Sequence, residues 1–330
     1  MVTTRLGIVG YGWVARDYLA PAAVAHPEVA LVAAVSPNAH DLAELPEGCT
    51  GYASLDAMLR DASVDAVYIA TPNHLHAEQT IRCAAAGLDI LCEKPLARSP
   101  REGRQMAEAV NAAKIFCATA FDQRYHPAHQ LMQQWVGEGK LGTLTQLRLD
   151  YACWLPAGWS ADNWRIDPER AGGGAIIDLA PHGLDLMELI SGQQIEQLHV
   201  FEQRAVQDYT VDDGGALSMQ FDGGALGVQT VAYNRRETLP RRRLEVIGTK
   251  GMLLATDTMG QDPGGRLVFT DAADGSQHEI RFDQQVSPFY RQLDAFHRNR
   301  HTRQGRTINE DLRLVELLHR AQHQTTPSWP

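Results

Sequence analysis

Short apolar runs alternate with amphipathic stretches through the first third of the chain. The apolar runs are bounded by turn residues, which is typical of buried strands, whereas the stretches between them carry apolar residues at helical spacing. Such alternation predicts a parallel sheet with helices on both faces. The predicted strands are 6–9, 29–35, 64–70, 89–92 and 115–120, and the predicted helices are 15–25, 54–60, 74–86 and 100–113.

The hydrophobic pattern changes after position 121, where alternation of period two becomes dominant. We therefore predict an α/β protein with a doubly wound parallel sheet over 1–121 and an α+β domain over 122–330. The second domain has a large open, mostly antiparallel sheet, and its last helices can pack back onto the first domain. Its predicted strands are 144–151, 196–205, 215–221, 225–232, 243–247, 252–255, 267–270 and 279–282, with helices over 129–136, 175–190, 288–298 and 309–323.

A glycine-rich turn joins the first predicted strand to the first predicted helix. Gly10, Gly12 and Ala15 form the pattern GxGxxA, in which the glycines permit a tight turn and a close approach to a pyrophosphate. Trp13 and Val14 start the helix, whose first amides can bind phosphate. The context predicts a Rossmann-type dinucleotide site, and the alternative is a tight turn without a ligand.

The second predicted strand ends without the acidic residue that often binds the adenosine ribose. Ser36, Pro37 and Asn38 stand there instead, and we predict Ser36 and Asn38 as cofactor contacts. The absence of a carboxylate removes a group that repels a 2′-phosphate, but no Arg or Lys follows at once to bind one. The sequence thus permits NADP as well as NAD.

Two more strand ends carry candidate cofactor contacts. Ligands of open α/β sheets bind beyond the carboxyl ends of the strands, so side chains at these ends are expected to face the cofactor. Lys94 is a candidate electrostatic group there, and the alternative is a solvated turn. The predicted contacts are Thr71, Pro72, Asn73 and His76 after one strand, and Glu93 and Lys94 after the next.

The apolar helix predicted over 175–190 contains two polar residues, Asp178 and His182, in its first half. Their spacing of four residues places them one turn apart on the same helix face. A carboxylate near an imidazole can set its tautomer and stabilise its cation, as a proton-transferring histidine requires. The alternative is a structural pair, in which the helix dipole favours the acid and the acid satisfies a core histidine.

Composition favours a small-molecule partner. The chain has 30 Lys and Arg against 40 Asp and Glu, and the net charge of -10 argues against nucleic acid and an anionic membrane surface as partners. The five cysteines are never spaced as CxxC, so we expect reduced thiols and no bound metal. No apolar segment reaches the length of a membrane span and no leader pattern is present, so we expect a cytoplasmic protein.

These motifs together resemble the Gfo/Idh/MocA family of NAD(P)-dependent sugar and cyclitol oxidoreductases. The resemblance rests on the glycine turn, on Glu93-Lys94-Pro95 and on the Asp178/His182 helix, in that order, and it covers nearly the whole chain. It implies that Lys94 binds the reacting oxygen, that His182 is the general acid or base, and that Asp178 orients the histidine or touches a neighbouring hydroxyl. It also implies a cis bond between Lys94 and Pro95.

The resemblance has further implications for cofactor, assembly and function. Arg124, Trp164 and Arg165 match family positions that close over the cofactor or substrate. The family's open sheet commonly forms the oligomer interface, which implies a homodimer or homotetramer through the C-terminal sheet. Two alternatives stay open: a glycoside hydrolase that retains its NAD and acts by transient oxidation and elimination, and a non-catalytic dinucleotide-binding regulator.

A tryptophan-rich segment at 151–165 is the candidate substrate region. Aromatic faces with neighbouring hydrogen-bonding groups suit a sugar or cyclitol ring, which has apolar CH faces and a polar rim. The alternative is that the tryptophans only anchor a long loop. The predicted substrate contacts are Trp154, Asp162, Trp164, Arg165 and Tyr233, together with Lys94, Asp178 and His182.

Overall fold

The computed structural model describes residues 3–160 and 162–324, which divide into two compact units. Of these residues, the first unit comprises 3–121 and 289–315, and the second comprises 122–288 and 316–324. Positions 1, 2, 161 and 325–330 lie outside the described residues, although the predicted domain ranges include them and the tryptophan-rich segment includes 161. Each unit is built around a sheet of its own.

The first unit contains a parallel sheet with the strand order β3-β2-β1-β4-β5-β6. Its central strands are buried on both faces, as their nearly continuous apolar sequences require. The order reverses between β1 and β4, which marks the switch point beside which doubly wound sheets bind ligands. The strands are β1 (Thr4–Val9), β2 (Val29–Val35), β3 (Thr50–Tyr52), β4 (Ala66–Ile69), β5 (Asp89–Glu93) and β6 (Cys117–Ala120).

Helices cover both faces of this sheet. The first helix has wide turns over Ala15–Leu19 and continues as α1 (Ala20–Ala25). The remaining helices between the strands are α2 (Leu55–Asp61), α3 (His76–Ala85) and α4 (Pro100–Ala113). Ser54 and Ser99 cap α2 and α4, because each hydroxyl accepts a backbone N–H that the helix leaves unpaired.

Two helices from late in the chain, α8 (Pro288–Thr302) and α9 (Ile308–Gln324), contribute to the first unit. Phe296 of α8 lies in the core on one face of the sheet, and Ile308 of α9 lies in the core on the other. The carboxylate of the buried Asp89 accepts hydrogen bonds from Arg300 Nε at 2.9 Å and Arg303 Nη1 at 2.7 Å. Both apolar packing and ion pairs with the buried Asp89 therefore attach this late segment to the sheet.

The second unit has a larger sheet with the order β14-β13-β12-β11-β7-β10-β9-β8. Among the described strand pairs of this second sheet, only β7–β10 is parallel, so the sheet is mostly antiparallel. The strands are β7 (Leu144–Ala152), β8 (Ile195–Gln203), β9 (Gly214–Phe221), β10 (Leu226–Ala232), β11 (Arg242–Gly248), β12 (Gly251–Thr256), β13 (Arg266–Asp271) and β14 (Gln277–Glu279).

Helix α7 (Ala175–Ser191) packs against β7 and β10 on one face of this sheet. Nearly all of its residues are buried, which explains its continuous apolar sequence, and Gly192 ends it in a left-handed conformation. Helix α5 (Pro127–Gly137) packs beside α7. The four-residue helix α6 (Pro168–Ala171) precedes α7 in the chain. The helix that carries Asp178 and His182 is therefore a central element of the second unit.

The predicted fold class is confirmed: a doubly wound parallel sheet is followed by an α+β unit with an open, mostly antiparallel sheet. Differences occur at short elements. Strand β3 was not among the predictions because it has only three residues, none of them fully buried. The last strand lies at Gln277–Glu279 instead of 279–282, and short helical turns at Ala157–Trp159 and Trp164–Ile166 occupy the tryptophan-rich segment.

Candidate active site

The glycine turn after β1 has the geometry of a phosphate cradle. Gly10 has a φ of +94°, and a β-carbon added there would lie 2.8 Å from the backbone of Ala70 and of Thr71, so only glycine suits the position. At Gly12 an added β-carbon would have no heavy atom within 4 Å, which means that the turn faces open space. An open cradle at a helix start fits the pyrophosphate of a dinucleotide.

Trp13 and Val14 follow this turn and begin the helix. The Trp13 indole is 37% exposed and lies edge-on to the ring of Tyr18, with 5.9 Å between centroids. Val14 is half-buried. Both residues are thus placed at the helix N-terminus, as predicted from the glycine pattern.

The end of β2 lies beside the glycine turn, because the N–H of Gly10 donates to the carbonyl of Val35 at 3.0 Å. Ser36 follows directly and is buried, and its hydroxyl donates to Asp41 Oδ2 at 2.8 Å. The Asn38 amide donates to Asp41 Oδ1 at 3.3 Å. A carboxylate therefore does lie at this strand end, and it was not predicted because Asp41 is five residues further along the chain than Ser36.

His76 connects the turns that follow β4 and β5. Its ring is completely buried, with Nε2 2.9 Å from the Thr71 carbonyl oxygen and Nδ1 3.0 Å from the Pro95 carbonyl oxygen. Burial lowers the pKa of His76, which favours the neutral ring. His76 thus has no exposed surface for a ligand and instead supports the backbone at Thr71 and beside Lys94. Pro72 and the buried Asn73 follow Thr71 and begin the short helical turn that leads into α3.

Lys94 follows β5 and is half-buried. The Lys94–Pro95 peptide bond is cis, as the family resemblance implies. The carboxylate of Glu93 accepts the Lys94 N–H at 3.2 Å and also a hydrogen bond from the buried Tyr68 hydroxyl. Glu93 is therefore fixed from two sides, and the backbone that carries Lys94 is held with it.

In the second unit, His182 lies between a carboxylate and an aromatic ring. Its Nδ1 is 3.8 Å from Asp122 Oδ1, and both side chains are less than 10% exposed. The Tyr151 ring meets the imidazole edge-on, with 5.4 Å between centroids. A buried carboxylate at Nδ1 favours a proton on that nitrogen and stabilises the imidazolium. Asp122 was not predicted, because it is far from His182 in sequence.

Asp178 lies one helical turn before His182 and binds Tyr233. The Tyr233 hydroxyl donates to Asp178 Oδ2 at 2.6 Å. Burial and then the Asp178 carboxylate raise the pKa of Tyr233 well above its usual range, so the phenol remains a donor. The structure thus brings three of the predicted substrate contacts, Asp178, His182 and Tyr233, to one region of the second unit.

Asp212 caps the N-terminus of α7 and was not predicted from the sequence. Its Oδ1 accepts the N–H of Gly174 and its Oδ2 accepts the N–H of Ile176, both at 2.8 Å. Gly174 is required because an added β-carbon would lie 1.9 Å from the Asp212 carbonyl oxygen. The cap is remote in sequence from the helix that it stabilises, so no local motif indicates it.

Arg124 forms a two-pronged ion pair with the buried Asp185 of α7. Arg124 Nε lies 2.7 Å from Asp185 Oδ2, and Nη2 lies 2.8 Å from Oδ1. The neighbouring Gln123 donates through Nε2 to Asp122 Oδ2 at 2.9 Å and to the Gly260 carbonyl at 3.1 Å. The turn over Asp122–Tyr125 is thus fixed to α7 and to a loop, which holds Asp122 in place.

The predicted substrate residues of the tryptophan-rich segment form stacked pairs. The Arg165 guanidinium lies 4.5 Å from the ring centre of Trp164. The Arg236 guanidinium lies 3.6 Å from the ring centre of Trp154. Asp162 is 75% exposed and pairs with Arg170 of α6. The segment therefore carries aromatic faces, cations and an exposed carboxylate.

The described ranges also bear on metals and membranes. Over 3–160 and 162–324, no group of three or more His, Cys, Asp or Glu side chains could hold a metal ion. Among the helices of that same part of the chain, none is long and apolar enough to cross a membrane.

Comparison with known proteins connects both units to one family. Residues 4–121 match the GFO/IDH/MocA "Oxidoreductase family, NAD-binding Rossmann fold", and residues 129–254 match the "GFO/IDH/MocA C-terminal domain". The chain is 30% identical over 294 residues to D-xylose 1-dehydrogenase (NADP(+)) 2 of Haloferax volcanii, covering 88% of this chain and 87% of that protein. It is 29% identical over 277 residues to 1,5-anhydro-D-fructose reductase of Ensifer adhaerens, covering 83% and 82%.

Solved structures support the fold. The aldose-aldose oxidoreductase from Caulobacter crescentus, complexed with glycerol, superposes with a TM-score of 0.86 at 23% identity and covers 98% of each chain. A levoglucosan dehydrogenase in complex with NADH and levoglucosan superposes with a TM-score of 0.83 at 22% identity, again covering 98% of each chain.

The dinucleotide fold and these matches define an NAD(P)-dependent oxidoreductase. The resemblance inferred from the glycine turn, Glu93-Lys94-Pro95 and the Asp178/His182 helix is confirmed. The chain belongs to the Gfo/Idh/MocA family.

Proposed function

We propose that this protein transfers a hydride between a nicotinamide cofactor and a secondary alcohol, or the matching ketone, of a sugar, sugar derivative or cyclitol. The observation that carries the proposal is the buried His182 with the Asp122 carboxylate beside Nδ1 and the Asp178–Tyr233 pair one turn away. The two relatives above are named for D-xylose and 1,5-anhydro-D-fructose, which supports a sugar-like ring as the substrate.

Lys94 and His182 are the proposed catalytic residues. When bound, the nicotinamide cofactor accepts or supplies the hydride. In the oxidation direction, the hydroxyl oxygen gains negative charge as the hydride leaves its carbon, and the Lys94 ammonium binds that oxygen. His182 accepts the hydroxyl proton, and in the reduction direction it returns a proton to the ketone oxygen.

Asp122 and Asp178 support His182 in different ways. Asp122 faces Nδ1, so it favours the tautomer in which Nε2 exchanges the proton, and it stabilises the imidazolium that results. Asp178 is held by Tyr233, and we propose that it contacts a neighbouring hydroxyl of the ring or orients the histidine. Two carboxylates and one phenol thus prepare a region of the second unit for a polyhydroxylated substrate.

The remaining contacts keep the roles predicted from the sequence. Bound cofactor is proposed to contact the glycine turn, the end of β2 and the turns after β4 and β5, with Arg124 held in place by Asp185. The ring is proposed to lie against aromatic faces with polar neighbours. The proposed cofactor contacts are Gly10, Gly12, Trp13, Val14, Ser36, Asn38, Thr71, Pro72, Asn73, Glu93, Lys94, Arg124, Trp164 and Arg165. The proposed substrate contacts also include Trp154, Asp162, Trp164 and Arg165 of the tryptophan-rich segment, and Tyr233, which directly follows β10.

We further propose that the protein is cytoplasmic and assembles as a homodimer or homotetramer through the second sheet. Support for assembly comes from the sheet face opposite α7, where Phe201, Leu226 and Val228 are 65%, 55% and 41% exposed. Exposed apolar side chains grouped on one sheet face are typical of an association surface. Size-exclusion chromatography with light scattering tests this, and Val228→Lys is expected to shift the protein to a smaller species.

The function is tested by following the absorbance of reduced nicotinamide. Purified protein is incubated with NAD or NADP against a panel of free sugars, inositols and sugar acids. Reduction with one class of ring supports the dehydrogenase and identifies its substrate class. No reduction with any ring, together with cofactor released only on denaturation, would contradict the proposal and favour the retained-NAD hydrolase or the regulator.

The proposed roles of His182 and Lys94 are tested with matched variants. His182→Asn and Lys94→Met are each expected to lower turnover by about 100-fold or more, which is the typical contribution of acid–base or electrostatic catalysis. His278→Asn and Lys140→Met replace exposed residues of the same types and serve as controls. Near wild-type turnover in either site variant, with unchanged thermal denaturation, would refute that residue's role.

A further inference from the structure

In the loop 36–41, which follows β2, polar side chains and backbone N–H groups form hydrogen bonds with one another and with the Asp41 carboxylate. Ser36 Oγ donates to Asp41 Oδ2 at 2.8 Å, and Asn38 Nδ2 donates to Asp41 Oδ1 at 3.3 Å. The Asn38 N–H donates to Ser36 Oγ at 3.2 Å, and the His40 N–H donates to Asn38 Oδ1 at 3.1 Å. These hydroxyl and amide donors, which could otherwise bind an anion, are therefore used within the loop.

This loop lies where the adenosine ribose of a dinucleotide is recognised. The N–H groups of Gly10 and Tyr11 donate to the Val35 carbonyl at 3.0 and 2.9 Å, so the phosphate cradle and the end of β2 are adjacent. The N–H of Ser36 donates to the Tyr52 carbonyl of β3 at 3.1 Å, which fixes the start of the loop. In this fold, an acid at the end of β2 binds the ribose 2′-hydroxyl.

The charges around the loop oppose a 2′-phosphate. A phosphate monoester at this position would meet the Asp41 carboxylate, and juxtaposed like charges weaken binding strongly. Arg16, on the helix after the glycine turn, interacts electrostatically with Asp41 but is paired with Asp17, with Nε 2.7 Å from Oδ1. The local cation therefore already has an acidic partner on its own helix.

We propose that Asp41 is the ribose-recognising acid of this chain and that it makes the protein selective for NAD(H) over NADP(H). The side chain reaches the strand end from five residues further along and is held there by Ser36 and Asn38. This selectivity rests on the proposed oxidoreductase function only in requiring that the protein bind a nicotinamide dinucleotide. It does not depend on which ring is oxidised.

Titration of the protein with NADH and with NADPH, followed by the fluorescence of the reduced nicotinamide, tests the proposal without turnover. The wild-type protein is expected to bind NADH about tenfold more tightly than NADPH, or better. In Asp41→Asn this ratio is expected to fall about tenfold, chiefly through stronger NADPH binding. Glu44→Gln, which removes an exposed acid from the same loop, is expected to keep the wild-type ratio.

Three outcomes would overturn the proposal. The first is that the wild-type protein binds NADH and NADPH with equal affinity, a result that can be interpreted without any variant. The second is an unchanged ratio in an Asp41→Asn protein that retains its thermal denaturation midpoint. The third is a wild-type preference for NADPH, and if Arg16→Gln removed that preference, Arg16 would be the group that recognises the phosphate. Binding of neither dinucleotide would instead refute the proposed oxidoreductase function itself, and the selectivity with it.

Discussion

Replacing Asp212 with asparagine is predicted to change how the stability of the second unit depends on pH. Burial raises the pKa of Asp212 from its ordinary value of 3.8 to about 6, although two backbone N–H groups of α7 donate to the carboxylate. Because its pKa is higher in the folded protein than in the unfolded chain, the folded state binds the proton more tightly. Its contribution to stability is therefore present at low pH and is lost as the pH rises through both values.

The size of this effect follows from the two pKa values. Raising the pH from about 4.5 to about 7.5 should lower the free energy of unfolding by about 2 kcal/mol through this one group. An asparagine amide cannot titrate, so the Asp212→Asn variant lacks this contribution while all other titrating groups are shared. The difference in unfolding free energy between wild type and variant should therefore change by about 2 kcal/mol, in the variant's favour, across that range.

Urea unfolding at several pH values, followed by tryptophan fluorescence, measures this difference. Trp135, Trp154, Trp159 and Trp164 lie in the second unit and report its unfolding. Asp222→Asn replaces an exposed aspartate of the same unit that also accepts a backbone N–H, and it serves as the matched control. If the unfolding free energy of wild type minus that of Asp212→Asn stayed constant or rose with pH, the reasoning would be refuted. The ionised Asp212 carboxylate would then not be destabilised by burial.

Three further changes test the site. Asp122→Asn should lower kcat about tenfold or more with little change in KM, and should shift the pH–rate profile to lower pH, because His182 loses the carboxylate that stabilises its cation. Tyr233→Phe should destabilise the protein to urea by about 1–2 kcal/mol, because Asp178 loses a buried donor; an unchanged midpoint would contradict this. Gly12→Ala should leave thermal denaturation unchanged, since the added methyl group enters open space, but should weaken NADH binding in fluorescence titration about tenfold.

The architecture could be predicted because it depends on local hydrophobic pattern. Helix α4 was predicted with its observed bounds, Pro100–Ala113, since Ser99 and Pro100 give a clear start signal. Strand β2 was likewise predicted as Val29–Val35. Strand β3 was missed because three partly exposed residues at a sheet edge leave almost no periodic signal.

Two of the unpredicted members of the candidate site lie far along the chain from the groups that they contact. Asp122 approaches His182, and Asp212 caps α7, only because the fold brings separate segments together. Asp41 is closer in sequence to Ser36, but the loop must fold back before its carboxylate reaches the strand end. Sequence motifs indicate groups at fixed spacing, such as Asp178 and His182, whereas partners of this kind require coordinates.

The contribution of α8 and α9 to the first unit has a consequence for how the chain is made. During synthesis, the strands β1–β6 leave the ribosome long before Phe296, Arg300 and Ile308 exist to cover both faces of their sheet and pair with Asp89. Nearly all of the second unit is translated in that interval. Until α8 and α9 are synthesised, the first unit therefore has apolar surface that these helices do not yet cover. A fragment ending at Phe121 should accordingly depend on chaperones or aggregate, although it contains every strand of its sheet.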